Sequence, residues 1–138
     1  MQEAFYDAAQ VFNYAERCQM LGIHLLDKAL ASTTQTFPPF DMSSIRIEHG
    51  TGYTPPVAES DNASYARFSP MISGVSPRVF LGQPGGMHWL TGGEHTVYGR
   101  VTEDPVVREQ MLDKRAQKLA LAAHEIPRDE KSKLYGAP

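Results

Sequence analysis

The chain has 138 residues, 13 Lys and Arg against 16 Asp and Glu for a formal net charge of −3, and one cysteine. That length fits a single ordinary domain, and charges of both signs interspersed along it exclude the basic field that would make nucleic acid the main partner. Cys18 standing alone excludes an intrachain disulfide framework and the usual thiolate zinc sites, and fits a reducing compartment. The chain has no apolar run of about eighteen residues and no basic start leading into an apolar block, so it is expected to have no transmembrane segment. The expectation is a soluble or membrane-peripheral, intracellular protein, with mitochondrion or plastid as the organellar alternatives.

Residues 1–31 read as one long helix. Ala4, Ala8, Val11, Ala15, Cys18, Gly22, Leu25 and Ala29 recur at alternating four- and three-residue steps, which is the spacing of a helical seam. Most of these side chains are small and let a second element approach closely, while Phe5, Phe12, Leu21 and Leu26 widen the apolar face. A straight helix of this length would be roughly 45 Å long, more than the span of a compact domain this size. It therefore takes a partner or breaks near Gly22. The seam packs on the chain's own C-terminal helix or on another chain, which makes Ala8, Val11, Ala15, Cys18 and Leu25 candidate partner-binding residues.

Residues 32–77 form an extended, Pro-rich middle. Pro38-Pro39, Pro55-Pro56, Pro70 and Pro77 each remove a backbone donor and fix φ, which excludes long ladders and helices. Residues 44–48 alternate and predict one short strand. Phe37, Phe40, Tyr53, Tyr65, Phe68 and Met71 are spread through the segment. That pattern suits an arm whose aromatics anchor on a partner, the alternative being a disordered linker. Phe37, Phe40 and Phe68 join the candidate partner-binding set. Asn62-Ala63-Ser64 matches a glycosylation acceptor, which without a secretory signal is read as chance.

Residues 78–101 predict a small β-hairpin: strands at 78–81 and 94–101, with Gly82-Gln83-Pro84-Gly85-Gly86 and Gly92-Gly93 as turns. Asp104-Pro105 opens a helix over 104–126 as N-cap and first helical residue, and Pro127 stops it. Its expected inner face is Leu112, Ala116, Leu119, Ala120 and Ala123. A charged tail, 127–138, ends the chain as a solvated end or a short docking peptide. The expected fold is α+β, mostly α, in one unit over 1–138: long N-terminal helix, extended middle, small hairpin, C-terminal helix, tail.

Five histidines, His24, His49, His88, His95 and His124, show no helical metal-pair spacing, so no metal or other cofactor is expected. His49-Gly50-Thr51-Gly52 and Gln83-Pro84-Gly85-Gly86 lack the Lys-Ser/Thr ending of a phosphate loop and read as turns. No Gly-x-Ser-x-Gly elbow occurs, and Cys18 lies in the packed seam.

Val79-Phe80-Leu81, followed by Trp89-Leu90-Thr91-Gly92-Gly93-Glu94-His95-Thr96-Val97-Tyr98-Gly99-Arg100-Val101, is similar to the late strand-turn-strand region of cyclophilins, the prolyl isomerase family. The resemblance covers 74–101. It implies that Phe80 is the pocket Phe, Trp89 and Leu90 the proline-pocket wall, and His95 the pocket His. The upstream Gln-Gly-Gly segment that carries the family's Arg donor is absent from this sequence, and the spacings from Phe80 to Trp89 and from Trp89 to His95 are each one residue longer. The reading is a non-catalytic accessory or structural subunit of a larger assembly, bound to other protein subunits through the seam, the arm and Trp89. The alternative is a divergent cyclophilin-like isomerase or proline-peptide binder using Phe80, Trp89 and His95.

Overall fold

The computed structural model describes residues 2–52, 65–132 and 136. Tyr53, Pro55-Pro56, Asn62-Ala63-Ser64 and most of the tail beyond 132 lie outside them. The chain divides into two compact units, Met1–Gly50 and Thr51–Pro138.

The first unit is built on α1, Gln2–Cys18. The helix stops because Gln19 takes a left-handed conformation, φ 50°, and the Met20 N–H then donates to the Ala15 carbonyl at 3.1 Å. That six-to-one bond satisfies a carbonyl the helix end would leave orphaned. The chain folds back along α1: a Cβ added at Gly22 would meet Val11 Cγ1 at 2.7 Å and Ala15 Cβ at 3.4 Å. The seam of Ala8, Val11, Ala15 and Cys18 is thus closed in part by the chain itself, with Cys18 only 1% exposed. The expected helix over 1–31 is corrected to α1, a break at 19–27, and the short α2, Lys28–Ser32, capped by Asp27 Oδ1 accepting from the Ala29 and Leu30 N–H groups. With the helical phase lost at Gln19, Leu25 leaves the seam and is 85% exposed.

The remainder of this unit lies on α1. Phe40 stacks on Phe5 with ring centroids 3.9 Å apart, Phe37 tilts against Phe40 at 5.0 Å, and the Asp41 N–H donates to Tyr6 Oη at 2.8 Å. A 3-10 turn, Met42–Ser44, follows. The strand expected at 44–48 is not formed, because its backbone pairs with a side chain. Buried Asn13 donates from Nδ2 to the Arg46 carbonyl at 2.7 Å and accepts the Glu48 N–H on Oδ1 at 2.9 Å. One amide thereby satisfies both groups as a neighbouring strand would. Arg17 forks onto the Glu48 carboxylate, with Nε and Nη2 at 2.9 and 2.7 Å.

The second unit is built on α3, Pro105–Glu125. Asp104 caps it by accepting the Val106 N–H at 2.8 Å, and Pro105 follows at the first turn, where its missing donor costs nothing. A one-turn α4, Arg128–Lys131, follows Pro127, and the Lys131 ammonium donates to the Ala123 carbonyl. The loop from 65 to 77 packs on α3. Its turn at Met71 to Gly74, closed by the Gly74 N–H to the Met71 carbonyl at 2.8 Å, sets Gly74 at φ +74° directly on the helix backbone. A Cβ there would lie 2.5 Å from the Lys114 carbonyl oxygen and 2.9 Å from the Lys118 nitrogen. The loop is tied internally by fully buried Ser76, whose Oγ donates to the Ser69 carbonyl at 2.6 Å, and by Tyr65 Oη donating to the Pro77 carbonyl.

This docking rotates α3 away from its expected face. Met111, Lys114 and Ala122 are buried, while Leu112, Ala116, Leu119, Ala120 and Ala123 are exposed, Leu119 at 61%. The expected hairpin is reduced as well. Among the described residues there is no strand, only isolated bridges: Gly52 with Arg78, parallel, and His95 with Val101, antiparallel. The stretch read as one strand at 94–101 doubles back. The Gly99 N–H donates to the Thr96 carbonyl at 2.9 Å, and the Thr102 N–H donates to the Glu94 carbonyl at 3.0 Å. Gly99 sits at φ +79°, where a Cβ would run into the Trp89 carbonyl.

Two substitutions test these backbone devices. Gln19→Gly removes the left-handed penalty of a residue with a Cβ and is expected to stabilise the first unit by about 1 kcal/mol in urea unfolding followed by far-UV circular dichroism. Gly74→Ala combines a positive φ with a backbone collision and is expected to cost more than about 2 kcal/mol in urea unfolding followed by Trp89 fluorescence.

Candidate functional site

In the second unit two cationic side chains lie near one ring. Phe68 is fixed by its own N–H, which donates to the Val97 carbonyl at 2.9 Å. The His95 ring tilts against it with centroids 4.1 Å apart, and His95 Nδ1–H donates to the Thr96 carbonyl at 3.0 Å. Two cations lie over the ring: Arg67 Cζ at 5.3 Å and Lys114 Nζ at 5.8 Å from its centroid. Both distances fall within the range of a cation–π contact. Arg67 comes from the 65–77 loop and Lys114 from the buried face of α3, so the docking of Gly74 brings them together.

Lys114 is only 5% exposed. Burial pushes its ammonium down from the usual lysine value to about 8, and Lys118, Arg67 and Arg115 push in the same direction. Glu94 is engaged elsewhere: Arg115 Nη1 and Nη2 donate to its two carboxylate oxygens at 3.1 and 2.8 Å. That fork holds the Glu94 carboxyl below its ordinary range and raises Arg115. Among the described residues, then, the Lys114 ammonium has neither a hydrogen bond nor a carboxylate partner. Such a group can hold an oxyanion, and near its midpoint it supplies a neutral amine that can take up a proton.

A second feature is an open, largely apolar groove of about 360 Å³ lined by Val79, Phe80, Leu81, Met87, His88 and Leu90 among others. Phe80, Leu81, Met87 and Leu90 expose much of their apolar surface. Among the described residues no three His, Cys, Asp or Glu side chains are placed to hold a metal ion, and no helix is long and apolar enough to cross a membrane.

The sequence-predicted residues are distributed across these features rather than gathered in one. Phe80 lines the groove, His95 and Phe68 tilt against each other, and Trp89 lies exposed with Arg100 Cζ 5.8 Å from its ring centroid. Ala8, Val11, Ala15 and Cys18 lie on α1 in the first unit, Leu25 is exposed there, and Phe37 and Phe40 pack with Phe5. Arg67, Lys114 and Lys118 were not singled out from the sequence. Lys114 and Lys118 share a helical row with Met111 and Ala122, and a row with two lysines reads as a solvated face.

No protein-family model matches the chain. It is similar to alpha subunits of archaeal 2-oxoacid:ferredoxin oxidoreductases: 39% identical over 136 residues to subunit alpha of enzyme 1 of Sulfurisphaera tokodaii, and 40% identical over 134 residues to subunit alpha of enzyme 2 of Aeropyrum pernix. Each alignment takes in 97% of this chain, and 21% and 20% of the respective relative. The chain therefore spans about a fifth of the length of the curated relatives it matches. The cyclophilin resemblance is overturned: relatives aligned over nearly the whole chain bear a different name, and residues 78–101 contain no strand pair. The relatives are named as subunits, in accord with the expectation of a chain that works within a larger assembly.

The Lys114 shift gives a pH dependence of definite sign. The fold holds this proton more weakly than the unfolded chain does, so stability is highest above the unfolded value of 10.5, falls as pH drops towards about 8, and is level below that. The full penalty is on the order of 3 kcal/mol. Lys114→Met is expected to raise the unfolding free energy at neutral pH by about 1–3 kcal/mol. Urea titrations across the alkaline range should show this advantage shrinking as pH rises from about 8 to 10.5.

Proposed function

We propose that this chain is a segment of the alpha subunit of a 2-oxoacid:ferredoxin oxidoreductase, acting as a structural and partner-contacting part of that assembly. The observation that carries the reading is the 39–40% identity to archaeal alpha subunits over 97% of the chain. The surface supports it independently. Among the described residues the buried hydrophobics are Cys18, Met111 and Ala122, whereas Leu21, Leu25, Ile72, Leu81, Met87 and Leu90 are strongly exposed. Apolar area of that extent is unfavourable in water and suits a polypeptide that packs against further protein. In this reading the segment contributes shape and charge to the assembled enzyme. The transfer of electrons from a 2-oxoacid to ferredoxin, the activity in the relatives' name, belongs to the whole.

A segment exchange tests the proposal. The aligned fifth of the Sulfurisphaera tokodaii alpha subunit is replaced by this chain, and in a control by the corresponding Aeropyrum pernix segment. The expected outcome is an assembled enzyme whose 2-oxoacid-dependent ferredoxin reduction stays within about tenfold of the parent, a loss of no more than about 1.4 kcal/mol. Loss of assembly with this chain, when the Aeropyrum pernix segment is accepted, would overturn it.

A further inference from the structure

The apolar groove at Phe80 and Leu90 is bordered by backbone that pairs with nothing. From Gly86 to Thr91 the chain runs without a turn or bend. In such an extended stretch successive residues direct their N–H and C=O groups to opposite edges. The Trp89 carbonyl is covered by Gly99, where a Cβ would run into it. His88 and Leu90 therefore present their backbone to the other edge, and both line the groove, as Trp89 does not. Among the described residues the backbone N–H and C=O groups of Met87, His88 and Leu90 make no hydrogen bond.

The side chains of the groove complete the picture. Gln83 Oε1 accepts the Phe80 N–H at 2.7 Å and His88 Nδ1–H donates to the Gly86 carbonyl at 2.8 Å, so the polar side chains of the lining are already engaged within the chain. What the groove offers a ligand is apolar surface from Phe80, Leu81, Met87 and Leu90, all exposed, beside a free backbone edge. That combination is the template on which a further strand adds: backbone bonds hold it, and its alternate side chains enter the groove.

We propose that the 86–91 edge and the adjoining groove receive an extended, apolar segment from the part of the alpha subunit outside this chain, added as a β-strand against His88 and Leu90. The choice of occupant rests on the alpha-subunit reading above. This chain aligns with 21% and 20% of its relatives, which leaves about four fifths of such a polypeptide to supply the segment. A segment of the same polypeptide also meets the groove at the high effective concentration of a tethered ligand.

The test uses the full 138-residue chain and overlapping short peptides that span the rest of the Sulfurisphaera tokodaii alpha subunit. One contiguous stretch is expected to bind saturably and, at saturation, to slow hydrogen exchange of the His88 and Leu90 amides by about tenfold or more, read by NMR. Leu90→Asp should weaken binding by about tenfold or more, the scale of burying one leucine. Leu119→Asp, on the exposed face of α3, should bind as the parent does. N-methylation of the bound peptide at alternate residues should abolish binding in one phase and spare it in the other, a distinction that a purely apolar contact would not make. Absence of any binding peptide, binding that survives Leu90→Asp, or binding that leaves the two amides unprotected would each overturn the proposal. So would concentration-dependent protection of 87–90 without peptide, which would assign the edge to a second copy. An assembled segment-exchange enzyme with no binding peptide rejects the groove assignment alone, whereas lost assembly is the outcome that rejects the alpha-subunit reading.

Discussion

The contact of Gly74 with the backbone of α3 sets the rest of the second unit. A glycine at φ +74°, whose missing Cβ would sit 2.5 Å from the Lys114 carbonyl oxygen, lets the 65–77 loop lie directly on the helix. Once that contact is made, the helix cannot rotate. The row through Met111, Lys114 and Ala122 faces inward, and Leu112 and Leu119 face outward. The loop carries Arg67 and Phe68 with it, so one backbone approach both buries a lysine and places a guanidinium and an aromatic ring beside it. The arrangement gives up burial of two leucines, each worth about 1.5–3 kcal/mol if fully covered. It also desolvates a charge.

The first unit solves a different problem by similar means. Its irregular chain from 33 to 50 lacks a sheet to satisfy its backbone, and buried polar groups left unpaired would each cost about 1–3 kcal/mol. Asn13 supplies the missing pairing by accepting and donating across Arg46 and Glu48, and the Arg17 fork on Glu48 fixes the same point from the next helical turn. The aromatic stack of Phe5, Phe37 and Phe40 then covers the N-terminal half of α1. In each unit a helix is the platform, and irregular chain is laid on it through a few directional contacts.

This construction fits a part of a larger body better than a free-standing domain. Regular hydrogen-bonded structure is confined to helices among the described residues, and large apolar side chains remain on the surface of both units. The similarity to about a fifth of archaeal 2-oxoacid:ferredoxin oxidoreductase alpha subunits supports the same view from another direction.

What the sequence determined by itself was local. Asp104-Pro105 starts α3 and Pro127 ends it because capping oxygen, missing donor and fixed φ act within one turn of the chain. Among the described residues Gly22 approaches Val11 and Ala15, two positions of the small-residue seam on α1. The alternation at 44–48 and 94–101 was misleading. A strand needs a neighbour of matching register, and here the backbone found a side-chain amide in one case and its own turn in the other. Only the tertiary structure decided which face of α3 is inside, and with it the site. Helical periodicity names the apolar stripe but not what presses against the helix, and a glycine forty residues upstream in the chain outweighed two leucines by allowing an approach no other residue permits. The cluster of Arg67, Phe68, His95 and Lys114 joins positions far apart in sequence, none with a motif of its own, so its chemistry exists only once the loop has docked.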